Sequence, residues 1–129
     1  MTFGELLKRF REERKYTLRD ISKLSDIDHA YIYRLETGGK GAPSEEVVTA
    51  LVKALKLDSR RARILKFLVE QPVDDILVDL VLEEPEHSLE DFESAAKMSF
   101  RGARPDSEEA WKKVLNRIRK IREDVEHDG

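Results

Sequence analysis

The sequence predicts an all-α protein, five helices followed by three more, on three observations. Apolar residues recur at helical spacing through most of the chain, as at Phe3, Leu6, Leu7 and Phe10. Gly38-Gly39, Pro72, Pro85 and Pro105 fall between those periodic runs, where they end or separate helices. Residues suited to helix N-caps stand ahead of the runs: Thr17, Asp28, Ser44, Asp58, Ser88 and Asp106.

Taken in order, the first helix is expected from about Phe3 to Lys15, with Arg11 at the edge of its apolar face. Thr17 suits the N-cap of a second helix, Leu18–Leu24, because its hydroxyl can accept a bond from a free amide of the opening turn. Ser25-Asp26-Ile27 forms a tight corner, in which Asp26 takes the positive φ that aspartate tolerates better than most residues. Asp28 then caps a third helix, His29–Thr37, which Gly38-Gly39 ends. Ile21, Leu24, Ile27, Ile32 and Leu35 are left to face inward, so the two helices pack as a helix-turn-helix. After the loop GGKGAP, Ser44 caps a fourth helix ending near Lys56, whose core face is Val47, Val48, Leu51, Leu55 and Leu57. Asp58 or Ser59 starts a fifth, with Ile64, Leu65, Leu68 and Val69 apolar, and Gln71-Pro72 breaks it. The domain boundary is placed there, dividing residues 1–71 from 72–129.

Three helical segments follow. Val73, Ile76, Leu77, Leu80 and Val81 share one face of a helix that ends before Pro85. Ser88 caps the next, where Leu89, Phe92, Ala95, Ala96 and Phe100 align. Asp106 with Glu109 makes a capping-box-like start to the last, whose face is Trp111, Val114, Leu115, Ile118, Ile121 and Val125. Three helices of this size bury little core alone. Their apolar stripes are wide, so a homodimer is expected, with Leu77, Leu80, Trp111, Leu115 and Ile118 as its dimerisation residues.

Composition narrows the function classes. A chain of 129 residues suits one domain or two small ones, and 7% aromatic residues make the core mostly aliphatic. The absence of cysteine excludes disulfides and thiolate metal sites and favours a cytoplasmic location. There is no long uncharged apolar run, and the chain opens directly on an amphipathic helix, so neither a membrane span nor a signal peptide is expected. The net charge of −3 hides an asymmetry. Residues 1–70 hold 15 Lys/Arg against 11 Asp/Glu, whereas residues 71–129 hold 9 against 16. No lysine or arginine lies between Lys66 and Lys97. A nucleic-acid face on the first half fits this split, although a solvated acidic helix pair explains the second half equally well.

Enzymatic residues are not assembled. His29, His87 and His127 are scattered, with no His-Glu-x-x-His spacing. His87 near Glu90 and Asp91 invites a metal site, but capping and solvated charge account for those residues better. Gly38, Gly39 and Gly41 follow a helix, where a phosphate-cradling loop would precede one. No enzyme activity, cofactor or metal is therefore expected.

Four runs carry a resemblance: FGELLKRFREERKYT, Ile21-Ser22, the I-x-R-L-E-x-G of Ile32 to Gly38, and the P-S-x-x-x-V of Pro43 to Val48. Through them residues 3–57 resemble the Cro/C1-type (XRE family, lambda repressor-like) DNA-binding domain, a five-helix fold whose second and third helices read DNA. Two departures are visible: Leu18 replaces the family's phosphate-holding glutamine, and the Gly38–Pro43 loop is longer by one residue than the family's. The resemblance implies double-stranded DNA as partner, with a palindromic operator, and the third helix entering the major groove N-terminal end first. Base-facing positions are then His29, Ala30 and Arg34, with Asp28 near the groove at the cap. Arg34 can make paired bonds to a guanine edge, and Ala30 can meet a thymine methyl. Tyr31 and Tyr33 can bond phosphates through their hydroxyls. Amides near Thr17 and Asp28 add phosphate sites, and Arg19 and Lys40 supply charge. The resemblance also implies that Arg11 is buried against Glu36 as a structural ion pair. Two copies would place their half-sites roughly 34 Å apart. Read singly, the His-Ala-Tyr-Ile-Tyr run also suits an ordinary packing helix.

The segment FRGARP, Phe100 to Pro105, resembles stress-response repressors whose partner is an ImmA/IrrE-type zinc metallopeptidase. That resemblance implies a cleavage site at Phe100–Arg101, where a cut separates the dimerising end and releases DNA. A plain interhelical loop accounts for the same residues. Two functions follow as expectations: a dimeric, sequence-specific repressor, or an antitoxin-like protein whose acidic half binds a protein partner and which autoregulates its operon.

Overall fold

A computed structural model describes residues 1–39 and 41–128 of the chain. Among them eight helices form and no strand does: α1 (Phe3–Glu13), α2 (Leu18–Ser25), α3 (His29–Thr37), α4 (Glu45–Leu55), α5 (Ser59–Glu70), α6 (Asp75–Glu83), α7 (Leu89–Lys97) and α8 (Glu108–Asp128). The chain divides into two compact units, Met1–Pro72 and Val73–Gly129. No helix among the described residues is long and apolar enough to cross a membrane.

In the first unit, α1 begins where the Thr2 hydroxyl accepts from the Glu5 amide at 3.2 Å. It ends two residues before the expected Lys15, because Lys15 takes φ 59 and turns the chain away. Phe3, Leu6, Leu7 and Phe10 are buried against α3 and α5. Gly4 brings α1 unusually close to α3: a Cβ there would stand 2.2 Å from the Leu35 carbonyl oxygen and 2.7 Å from that of Glu36. α2 opens on a reciprocal capping box, the Thr17 hydroxyl accepting from Asp20 N at 3.1 Å and the Asp20 carboxylate from Thr17 N at 2.8 Å. Asp26 ends it at φ 60, as the corner requires, and Gly38 ends α3 at φ 80.

One expected core residue lies outside. Leu24 is 54% exposed. Ser25, one turn beyond the buried Ile21, occupies the half-buried position, and its hydroxyl donates to the Ile21 carbonyl at 2.6 Å. The Ser22 hydroxyl closes the corner onto the Ile27 carbonyl at 2.6 Å. The polar corner thus takes the place that periodicity assigned to leucine. Ser44 and Asp58 cap α4 and α5 from their side chains. Val48, Leu51, Leu55, Ile64, Leu65 and Leu68 complete the core.

The second unit is a three-helix cluster in which α6 and α7 both pack on α8. Its core is Leu77, Val78, Leu80, Val81, Phe92, Ala95, Trp111 and Leu115. Asp74 and Ser88 cap α6 and α7. At α8 the expected Asp106 cap is replaced by Ser107, whose hydroxyl accepts from Ala110 N at 3.1 Å. The residue adjoining the first turn is better placed than the one before it. Phe100 lies beyond the end of α7, its ring meeting Trp111 edge-on with centroids 5.8 Å apart. Asp91 is buried, and Arg122 donates to both its oxygens, at 2.9 and 3.2 Å.

Candidate nucleic-acid interface

α3 is nine residues long, and three of them are buried: Ile32, Leu35 and Glu36. That inner face leaves His29, Ala30, Tyr33, Arg34 and Thr37 exposed, with Tyr31 half-buried. These positions follow one another at three- and four-residue steps, so they form one solvent-facing strip. The strip varies along its length: His29 and Ala30 stand at the N-terminal end, and the longer, polar-tipped Tyr33 and Arg34 one turn further on.

The strip is held from behind. Arg11 Nε donates to Glu36 Oε2 at 2.7 Å and Nη2 to Oε1 at 2.9 Å, while Nη1 reaches the Tyr16 carbonyl at 2.8 Å. Glu36 is 7% exposed, so its charge is compensated inside the unit. Hydrogen bonding to Glu36 pushes the Arg11 pKa further up from its already high ordinary value. The ion pair and the close passage at Gly4 fix the C-terminal turn of α3 on α1. The hydroxyl-closed corner fixes its N-terminal turn on α2.

Asp28 departs from its expected role. It stands at the N-cap position of α3 but makes no side-chain capping bond. Its Oδ1 lies 3.7 Å from His29 Nδ1, both side chains being exposed. The opening amides of α3 are thus left without an aspartate oxygen over them, and a helix start of this kind suits an anionic oxygen. Thr17 is exposed, though its hydroxyl is engaged in the capping box of α2. Arg19 is exposed on the same helix, and Leu18 is half-buried. Lys40 lies outside the described residues. Motif spacing did not mark Gly4 as the residue that sets the α1–α3 distance, nor Thr37 as part of the exposed strip, and Leu24, expected to face inward, adds to the exposed surface instead.

Elsewhere, ligand atoms of Glu84, Glu86 and His87 lie within 4.8 Å of one another in the α6–α7 connection. Lys112 Nζ sits 3.3 Å from Glu84 Oε1 and supplies positive charge to that group. The expected dimerisation residues Leu77, Leu80, Trp111 and Leu115 fill the second unit's own core, and Ile118 is half-buried. Arg101 is exposed and Phe100 half-buried in the non-helical stretch between α7 and α8.

Comparison with known proteins agrees with this geometry. Residues 2–64 match the model of a family described as a helix-turn-helix domain. A stretch of 56 residues is 39% identical to the HTH-type transcriptional repressor RghR of Bacillus subtilis (strain 168), covering 43% of this chain and 42% of that protein. The chain therefore spans less than half the length of that relative.

Proposed function

From a chain whose N-terminal unit is a helix-turn-helix domain, we infer a sequence-specific DNA-binding transcriptional repressor that acts as a homodimer on a palindromic operator. The carrying observation is α3 itself: its inner face is locked by Arg11–Glu36 and its outer face is left to solvent. His29, Ala30 and Arg34 supply base-edge contacts; Tyr31, Tyr33, Thr17 and Arg19 supply phosphate contacts. A gel shift with the DNA upstream of its own gene, repeated over a salt series, tests the reading. Specific retardation whose affinity falls steeply with salt is expected, because phosphate contacts release counterions. Equal affinity for unrelated DNA at every salt concentration overturns it.

Loss of repression is proposed to come from a zinc metallopeptidase cutting Phe100–Arg101. The bond lies in a helix-free stretch with Arg101 exposed, which supports access. Incubation with such a peptidase and sequencing of the fragments checks this, and an uncut segment removes it. A second reading, an antitoxin-like role, is supported by the acidic run that carries no lysine or arginine between Lys66 and Lys97. Purification separates the two: a repressor is isolated as a self-sufficient dimer, an antitoxin with a bound partner protein.

A further inference from the structure

α8 is 21 residues long, whereas α6 and α7 have nine each. Its surplus length leaves an apolar row uncovered. Ile121 is 59% and Val125 66% exposed, and Val114 and Ile118 are half-buried. The four residues step by four, three and four, the spacing of a coiled-coil seam. The buried Trp111 and Leu115, with Arg122 clamped on Asp91, form the neighbouring face that holds α8 on its own unit. The Arg122 clamp thereby turns the seam outward.

Charge decides what the seam can meet. Arg117 and Asp124 are exposed and flank the row on the side away from Leu115 and Arg122. In a parallel pair, Arg117 of each copy would face Arg122 of the other, whose charge is already taken by Asp91 and Glu126, and would gain no partner. In an antiparallel pair, Arg117 of each copy faces Asp124 of the other, twice by symmetry. Val114 then packs on Val125 of the second copy, and Ile118 on Ile121.

We propose that the stretch of α8 from Val114 to Val125 is a self-complementary seam, pairing antiparallel with α8 of a second copy through Val114, Ile118, Ile121 and Val125. The proposal deepens the dimeric reading given above and rests on it. The seam is short, about 16 Å from Val114 to Val125 at the helical rise per residue. It is smaller than a standard stable interface, so the dimer dissociates on dilution and is sensitive to single substitutions.

The test uses the full chain without DNA. Because the chain has no cysteine, single-cysteine variants report the pairing directly. Val114→Cys mixed with Val125→Cys and oxidised should give a covalent dimer containing one copy of each, while neither variant links to itself. Self-linking of each variant alone means a parallel pair and overturns the proposal. A dimer that persists with no link in any mixture places the interface elsewhere and overturns it too, as does a chain that stays monomeric. Arg117→Glu alone and Asp124→Arg alone should each weaken the dimer about tenfold, and the two together should restore it. A double variant no better than the singles overturns the orientation. Ile121→Asp, at an exposed position, should keep its helical content while losing the dimer. A seam that forms in a protein unable to shift DNA sinks the repressor reading alone. Operator binding by a protein whose α8 stays unpaired sinks the seam alone.

Discussion

Replacing Arg34 with alanine removes the guanidinium from the outward face of α3 without touching its buried one. Specific binding should weaken by about 1–3 kcal/mol and discrimination should relax at one base pair, measured by gel shift on a set of single-base operator variants. Equal loss on every sequence makes Arg34 a phosphate contact. Arg11→Ala acts behind the surface: it leaves the Glu36 carboxylate buried without its partner, a loss of about 3–5 kcal/mol in urea unfolding. Gly4→Ala forces a methyl against the Leu35 and Glu36 carbonyls. It should destabilise by about 1–3 kcal/mol, as overpacking does, and disturb operator binding by shifting α3. The two residues differ in legibility. Arg11 and Glu36 are charged residues at motif positions, so the resemblance paired them. Gly4 looks like any helical glycine until the path of the α3 backbone is known.

At the scale of the element, the caps carry both the successes and the errors. Thr17→Ala removes half of a reciprocal pair and should cost about 1 kcal/mol in thermal or urea unfolding. Asp58 accepts from the Arg61 amide at 2.7 Å and pairs with its guanidinium, which holds the carboxyl below the usual aspartate range, the amide bond being the first cause. A depressed folded pKa means that this stabilisation is complete above the unfolded value of about 3.9 and is lost as pH falls through the folded one. Asp58→Asn should therefore lower stability at neutral pH and flatten its decline in acid, seen in unfolding curves from pH 7 down to pH 2. Helix starts were legible because few residue types cap well, yet Asp28 leaves its amides open and Ser107 displaces Asp106. Which of two adjacent candidates turns its oxygen onto the amide depends on backbone angles that residue type does not encode. Leu24 fails for a related reason: a helix as short as α2 has little inward face, and Ser25 already holds part of it.

For the whole molecule, the charge split and the helix-breaking Gln71-Pro72 made two differently composed halves legible in the sequence. Which apolar stripes close inside one copy was not, because periodicity shows a face without showing what covers it. Leu77, Leu80, Trp111 and Leu115 are used up by the second unit, whereas Ile121 and Val125 at the far end of α8 are left open. Cutting at Phe100–Arg101 leaves α8 held to α6 and α7 only by the packing of Trp111 and Leu115 and by the Arg122–Asp91 pair, and residues 1–100 purified away from it report what α8 contributes. The resulting fragment should lose preference for a two-half-site operator over a single half-site, measured by gel shift on both DNAs. Retained preference after complete cutting would assign dimerisation to residues before the cut.

Trp111 is the sole tryptophan of the chain, fully enclosed, with its indole N–H meeting no acceptor among the described residues and its ring set against Phe100. Arg104 closes over the other ring, 5.7 Å from the Phe100 centroid. Any loosening of that connector exposes to solvent an indole that is enclosed here. The protein thus carries its own lamp beside the bond proposed for cutting: emission should move to longer wavelength as the segment opens, before any fragment leaves.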